Sequence, residues 1–164
     1  MSKDNYKKNI TNEFFKAFAS GDSDKCFMLW LDDDFDPNDR DGFDEPLIMN
    51  VMFFYAKSNT KMDEAYFKEI ISLIIGHEKY NPNQKNEYKE IPLFYVARYP
   101  RLNCIAKKML DLKKTIFNQE NDVGLNLFDV ATSNENNAFA AMLLNTGEFM
   151  ECTKGQAKIR CKTK

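Results

Sequence analysis

A chain of 164 residues has room for one domain with a sizeable core, and 14 Phe, 8 Met and 7 Tyr supply apolar bulk that excludes wholesale disorder. A formal net charge of −2 argues against nucleic acid as the main partner, because phosphate binding needs a strongly basic surface. No apolar run approaches the length that crosses a bilayer, and residues 1–8 hold no apolar stretch to act as a secretory signal, so a soluble, reduced, cytoplasmic protein without a membrane partner is expected.

Residues 1–11 read as a polar, frayed N-terminus. From Thr11, a candidate N-cap, the helical spacing of Phe14, Phe15 and Phe18 predicts a helix that ends at Ser20-Gly21. A second helix is predicted from Asp22-Ser23 through Cys26, Phe27, Met28, Leu29, Trp30 and Leu31. It is apolar on nearly every side, which predicts cover on both flanks and a core position for Trp30. Eight acidic residues and one Arg follow between Asp32 and Glu45.

Pro46 suits the first turn of a helix running from Leu47 to Ala56, since its missing N–H costs nothing there. After polar residues from Lys57 to Asp63, Phe67, Ile70, Ile71, Ile74 and Ile75 mark the buried side of a helix from Ala65 to Gly76. His77 follows at its end, where the carbonyl dipoles favour a cation. A loop from Asn81 to Glu90 leads to a short helix, Pro92 to Arg98, that Pro100 cannot extend. Further helices are predicted from Leu102 to Leu112, Asn126 to Ala131 and Ala138 to Leu144. The loop Asn118 to Gly124 separates the first two, and Gly147 stops the last. Residues 150–164 read as a loosely held tail carrying Lys154, Lys158, Arg160, Lys162 and Lys164.

One phrase recurs along this series. Asp36-Pro37-Asn38 precedes Pro46-Leu47, Asn81-Pro82-Asn83 precedes Pro92-Leu93, and Ile116-Phe117-Asn118 precedes Leu127-Phe128. Asn38, Asn83 and Asn118 stand 45 and 35 residues apart, so the second interval fits a repeat of about 33 residues and the first needs an insertion, placed at 56–64. Helix-pair repeats of that length bury their apolar faces only against neighbouring repeats.

These residues resemble the ankyrin repeat, whose consensus runs D-x-N, a polar loop, G-x-T-P-L-H-x-A-A, then a helix ending L-L-x-x-G. Ala97 matches the second alanine, Gly124 to Ala131 follow G-x-T-P-L-H-x-A with Leu127 for proline, and Leu143-Leu144-Asn145-Thr146-Gly147 match the ending. Ile91, at the threonine position, cannot cap its helix. The resemblance covers residues 12–149 as units of about 12–35, 36–80, 81–115 and 116–149. It implies an all-α, irregular helix-pair solenoid with hairpin-like loops, no catalytic residues in the repeats, and protein binding through fingers and a concave groove.

The expected contacts are Asp39, Arg40, Asp41, Phe43 and Asp44 on the first finger; Lys85, Asn86, Glu87 and Tyr88 on the second; and Glu120, Asn121 and Asp122 on the third. The acidic finger reads either as a solvated loop or as a docking surface for a basic protein, and Phe43 and Tyr88 either as interface anchors or as covers for the helix beneath. A calcium loop at Pro37 to Ile48 fails, because Pro37 and Ile48 fall where carboxylate ligands are needed. No zinc-like Cys pair, nucleophile motif or phosphate loop is present, so neither a metal nor a cofactor is expected. Cys26 and Cys104 read as small core residues, while Cys152 and Cys161 could close the tail as a disulfide.

The expected function is protein binding, as adaptor, inhibitor or host-directed effector; richness in Asn, Lys, Ile and Phe points to an AT-rich genome. A small enzyme with its site in the groove or the 56–64 insertion is the alternative from another class. A self-associating structural protein, meeting a copy of itself through Ala138 to Leu144, is a third, so the chain is expected as a monomer or weak homo-oligomer.

Overall fold

The computed structural model describes residues 3–57, 62–112, 114–147, 149–151 and 157–159, and within those limits the protein is all-α. The helices are α1 (Lys3–Ser20), α2 (Ser23–Trp30), α3 (Leu47–Lys57), α4 (Glu64–Gly76), α5 (Pro92–Arg98), α6 (Asn103–Leu110), α7 (Leu127–Ser133) and α8 (Asn137–Asn145). A 3-10 turn, Pro100–Leu102, leads into α6. Two short antiparallel strands, β1 (Phe149–Glu151) and β2 (Ala157–Ile159), set Phe149 opposite Ile159.

The helices fall into two rows. In one, α1 lies beside α3, α3 beside α5 and α5 beside α7; in the other, α2 lies beside α4, α4 beside α6 and α6 beside α8. Each odd helix also packs on the even helix that follows it. The core lies between the rows. Phe14 and Phe18 of α1, Cys26 of α2, Ile48 and Met52 of α3, and Phe67, Ile70, Ile71 and Ile74 of α4 are sealed from solvent. The Tyr55 and Phe67 rings lie parallel at 3.9 Å, joining α3 to α4. Every side chain of α5 from Pro92 to Ala97 is buried, because that helix has neighbours on both sides of its row and one opposite.

Helix boundaries follow local chemistry. Asp22 caps α2 by accepting from the Lys25 N–H, and Asp63 caps α4 through Ala65. Asn126 and Asp129 form a reciprocal capping box at α7, whereas Ile91 gives α5 no side-chain cap and leaves Pro92 to start it. Gly147 takes a positive φ of 74° and its N–H donates to the Leu144 carbonyl, ending the α8 segment.

Several expectations are corrected. α1 begins at Lys3, eight positions before Thr11, because the polar residues ahead of Thr11 are compatible with helix and lack only an apolar stripe. Thr11 is therefore a mid-helix residue, and its hydroxyl donates to Asp39 Oδ2 at 2.6 Å. α2 is covered on one side only: it opens its row, so Phe27, Met28 and Leu31 remain exposed. Trp30 is half-buried at the core margin, its indole N–H donating to the Leu73 carbonyl at 2.8 Å.

The helix predicted from Leu102 to Leu112 shortens to Asn103–Leu110. Cys104 is half-buried, with Sγ near the Arg101 carbonyl, while Cys26 is fully enclosed. His77 stands at the end of α4 as expected, as its C-cap, and its Nδ1 accepts from the Lys79 N–H at 3.2 Å. The segment expected to be a loose tail contains the β1–β2 ladder, because polarity marks solvent contact and does not forbid strand pairing. The centre of the insertion, 58–61, and the Cys152–Cys161 pair lie outside the described residues.

Candidate interaction surface

The three polar loops share one construction. In the first, Asp41 Oδ1 accepts from the N–H groups of Phe43 and Glu45, and the Asp41 N–H donates to the Glu45 carbonyl. In the second, Asn86 does the same with Tyr88 and Glu90; in the third, Asn121 does so with Val123 and Leu125. A side chain that accepts two backbone donors replaces the ladder a longer hairpin would need. Isolated antiparallel bridges, Arg40 with Pro46 and Glu120 with Asn126, close the bases of the first and third loops.

The fourth position of each loop is left-handed: Asp44 at φ 62°, Lys89 at φ 60° and Gly124 at φ 79°. Only the third uses the residue for which that region is free of strain.

Successive loops are also tied together. Asn38 Nδ2 donates to the Lys79 carbonyl while its Oδ1 accepts from the Asn81 N–H; Asn83 repeats this with the Lys114 carbonyl and the Ile116 N–H. Arg40 reaches from the first loop to the Lys85 carbonyl at 2.8 Å, and the Asp122 N–H donates to the Tyr88 carbonyl at 3.0 Å.

Beneath the loops a buried polar row repeats as well. Asn86 and Tyr95 both donate to Glu45 Oε1, at 3.5 and 2.7 Å; Asn121 and Arg98 donate to Glu90. Burial pushes the Glu45 carboxyl above its ordinary value despite those two donors.

The expected contact residues therefore divide. Asn86 and Asn121 are buried turn anchors, and Asp41 is one at the margin, so these three are corrected from partner contacts to loop builders. Their side-chain oxygens are already engaged by backbone. Asp39 is half-buried and bonded to Thr11, and Arg40 is half-buried between Asp44 and Lys85. Phe43, Asp44, Lys85, Glu87, Tyr88, Glu120 and Asp122 are exposed.

Sequence reading missed Val123. It stands two residues after its anchor, as Phe43 and Tyr88 do after theirs, and the three are 70%, 87% and 51% exposed. That common offset was the available signal. Phe43 and Tyr88 do not fold back to cover the helices beneath them.

Each fingertip thus presents an apolar side chain with an exposed acid next to it in sequence, Asp44, Glu87 and Asp122, and the third loop also exposes Leu125. Glu87, beside Tyr88, raises the Tyr88 phenol above its ordinary value.

A cavity of about 560 Å³ lies elsewhere, between α6 and α8, with Leu110, Phe117 and Met142 on its walls and the Lys107–Asp111 ion pair at 2.8 Å on its edge. The threonine hydroxyl lining it, on Thr146, donates to the Leu143 carbonyl. Among the described residues no cluster of three or more His, Cys, Asp or Glu is placed to hold a metal ion. No described helix is long and apolar enough to cross a membrane. No protein-family model and no curated protein matches the chain.

Proposed function

We propose that the chain is a protein-binding module built as an irregular ankyrin-like solenoid, and that it binds through the row of fingertips Phe43, Tyr88 and Val123. The observation that carries this reading is their shared position: three large apolar side chains, each two residues past a turn anchor, stand in solvent on loops hydrogen-bonded side by side. Scattered single exposed apolar residues need no explanation, but a repeated register does. The paired rows of helices and the recurrence of the Asn38 bridge at Asn83 support the solenoid reading.

Asp44, Glu87, Glu120 and Asp122 surround the tips with more negative than positive charge, so the complementary surface is apolar with basic residues around it. Because each anchor oxygen holds two backbone N–H groups of its loop, and the first loop is bonded to the second and the second to the third, little freedom is lost on docking. Adaptor, inhibitor and host-directed effector are three uses of that single property.

The test is affinity capture from the native cell with the wild-type chain and a Phe43→Ser/Tyr88→Ser/Val123→Ser variant whose helical circular dichroism is unchanged. Loss of a specific partner by the variant is the expected result. Retention of every specific partner would overturn the assignment. Charge reversal at Asp39 and Asp41 is a poorer probe, since those side chains hold the loop itself.

A further inference from the structure

Among the described residues a second apolar surface without cover lies on α2, on the helix face turned away from the core. Phe27, Met28 and Leu31 are 47%, 67% and 54% exposed, and their spacing puts them with Asp24 on one helical face. The opposite face, carrying Cys26, packs on α1 and α4, and the half-buried Trp30 stands at the border between that face and the patch. Two other helices of its row, α4 and α6, differ. α4 turns Glu64, Lys68 and Glu69 to solvent, and α6 turns Lys107 and Lys108.

The α2 patch is preorganised. Phe27 lies against Trp30 with ring centroids 5.9 Å apart and planes within 19°, and Trp30 is held by its bond to the Leu73 carbonyl. Its charged margin is acidic: Asp24 and Asp33 are exposed, Asp32 is half-exposed, and the nearest helix cation, Lys25, is held by Glu13 at 2.9 Å.

From this face and its charge we infer that Phe27, Met28 and Leu31 form a docking site for a cationic amphipathic helix of a partner protein, separate from the fingertips. The occupant lays leucine-like side chains over Phe27 and beside Met28, whose unbranched thioether adapts to them. Its lysines or arginines meet Asp24 and Asp33. A second copy of the chain would bring the same acidic margin against itself, and an anionic lipid surface would be repelled by it.

Trp30 is the protein's single tryptophan and touches the patch, so its fluorescence reports occupancy directly. The probe is a synthetic peptide of leucine and lysine in helical register without aromatic residues, compared with a leucine–glutamate peptide of equal length. The lysine peptide is expected to give a saturable shift of Trp30 emission that weakens as salt is raised, and Met28→Glu/Leu31→Glu to lower its affinity by about tenfold or more. Met28→Ser/Leu31→Ser, milder for folding, is expected to act in the same direction, and Asp24→Asn/Asp33→Asn to flatten the salt dependence. Equal affinity for both peptides, or no change in Trp30 emission with either, would overturn the inference. So would a dimer in light scattering that the Met28 variants dissolve, since the patch would then belong to a second copy.

Discussion

Arg98 closes on Glu90 through both terminal nitrogens of its guanidinium, and Glu90 is buried, only 2% exposed. Burial works against the Arg98 charge, yet the carboxylate outweighs it and holds the guanidinium above its ordinary range. The pair ties the end of α5 to the loop before it. Arg98→Met should destabilise the protein by about 2–3 kcal/mol, less than the roughly 3–5 kcal/mol of breaking a fully buried pair because the arginine is partly exposed. Adding Glu90→Gln should recover part of that loss, and the coupling is read from urea unfolding of the two single variants and the double.

Glu45 gives a pH dependence of the opposite kind to the usual carboxylate. Burial raises its folded-state value above the 4.5 it has when free, so from 4.5 upward the folded protein holds a proton that the unfolded chain has lost. Its contribution to stability therefore falls as pH rises through that window. Glu45→Gln, which can still accept from Tyr95 and Asn86, should flatten this fall when urea midpoints are compared in buffers rising from 4.5 to neutrality. Glu13 acts oppositely: hydrogen bonds from Lys25 and Lys16 lower it to about 2, so its contribution is present above 4.5 and lost as pH falls through about 2.

Asn83 bridges the second and third loops with both ends of its amide. Asn83→Asp keeps the acceptor for Ile116 but loses the donor to the Lys114 carbonyl and brings a negative oxygen against it. A cost of about 1–2 kcal/mol is expected for Asn83→Asp and for Asn83→Ala alike. Thermal unfolding checks this, and Asn38→Ala should behave similarly because Asn38 makes the same bridge one loop earlier.

The left-handed position of each loop supplies a pair of opposed substitutions. Lys89 sits at φ 60° and Gly124 at φ 79°, and nothing lies within 4 Å of where a Gly124 Cβ would be. Gly124→Ala should therefore cost about 1–2 kcal/mol from backbone strain alone. Lys89→Gly should gain about 0.5 kcal/mol, strain relief being partly offset by the freer unfolded chain. Both are read as shifts of the unfolding midpoint.

Much of the helix content was legible because it rests on neighbours in sequence. Pro92–Arg98 is found with the predicted bounds, since Pro92 fixes its start and Pro100 forbids its extension. The Asp22 cap and the buried stripe Phe67, Ile70, Ile71 and Ile74 were likewise local signals. The start of α1 was not legible, because residues 3–9 show no apolar stripe in the sequence to mark a helix. The apolar composition of α2 predicts a core position for Trp30 and cover on both flanks, and only the place of α2 at the opening of its row decided otherwise.

The loops divide in the same way. Spacing by itself determined that three polar segments recur before three short helices, and which residues they contain. It did not determine which side chains build a loop and which face a partner. Asp41, Asn86 and Asn121 are as polar as Asp44, Glu87 and Asp122, and the two sets differ only in where the chain points them. That direction is fixed by backbone donors which converge only after the loop has closed, and by Arg40 and Asn83, whose carbonyl partners lie 45 and 31 residues away in the chain. Helix propensity and turn preference act over a few residues and are written in the sequence. Exposure is a property of the whole packed chain, and the tertiary structure alone decides it.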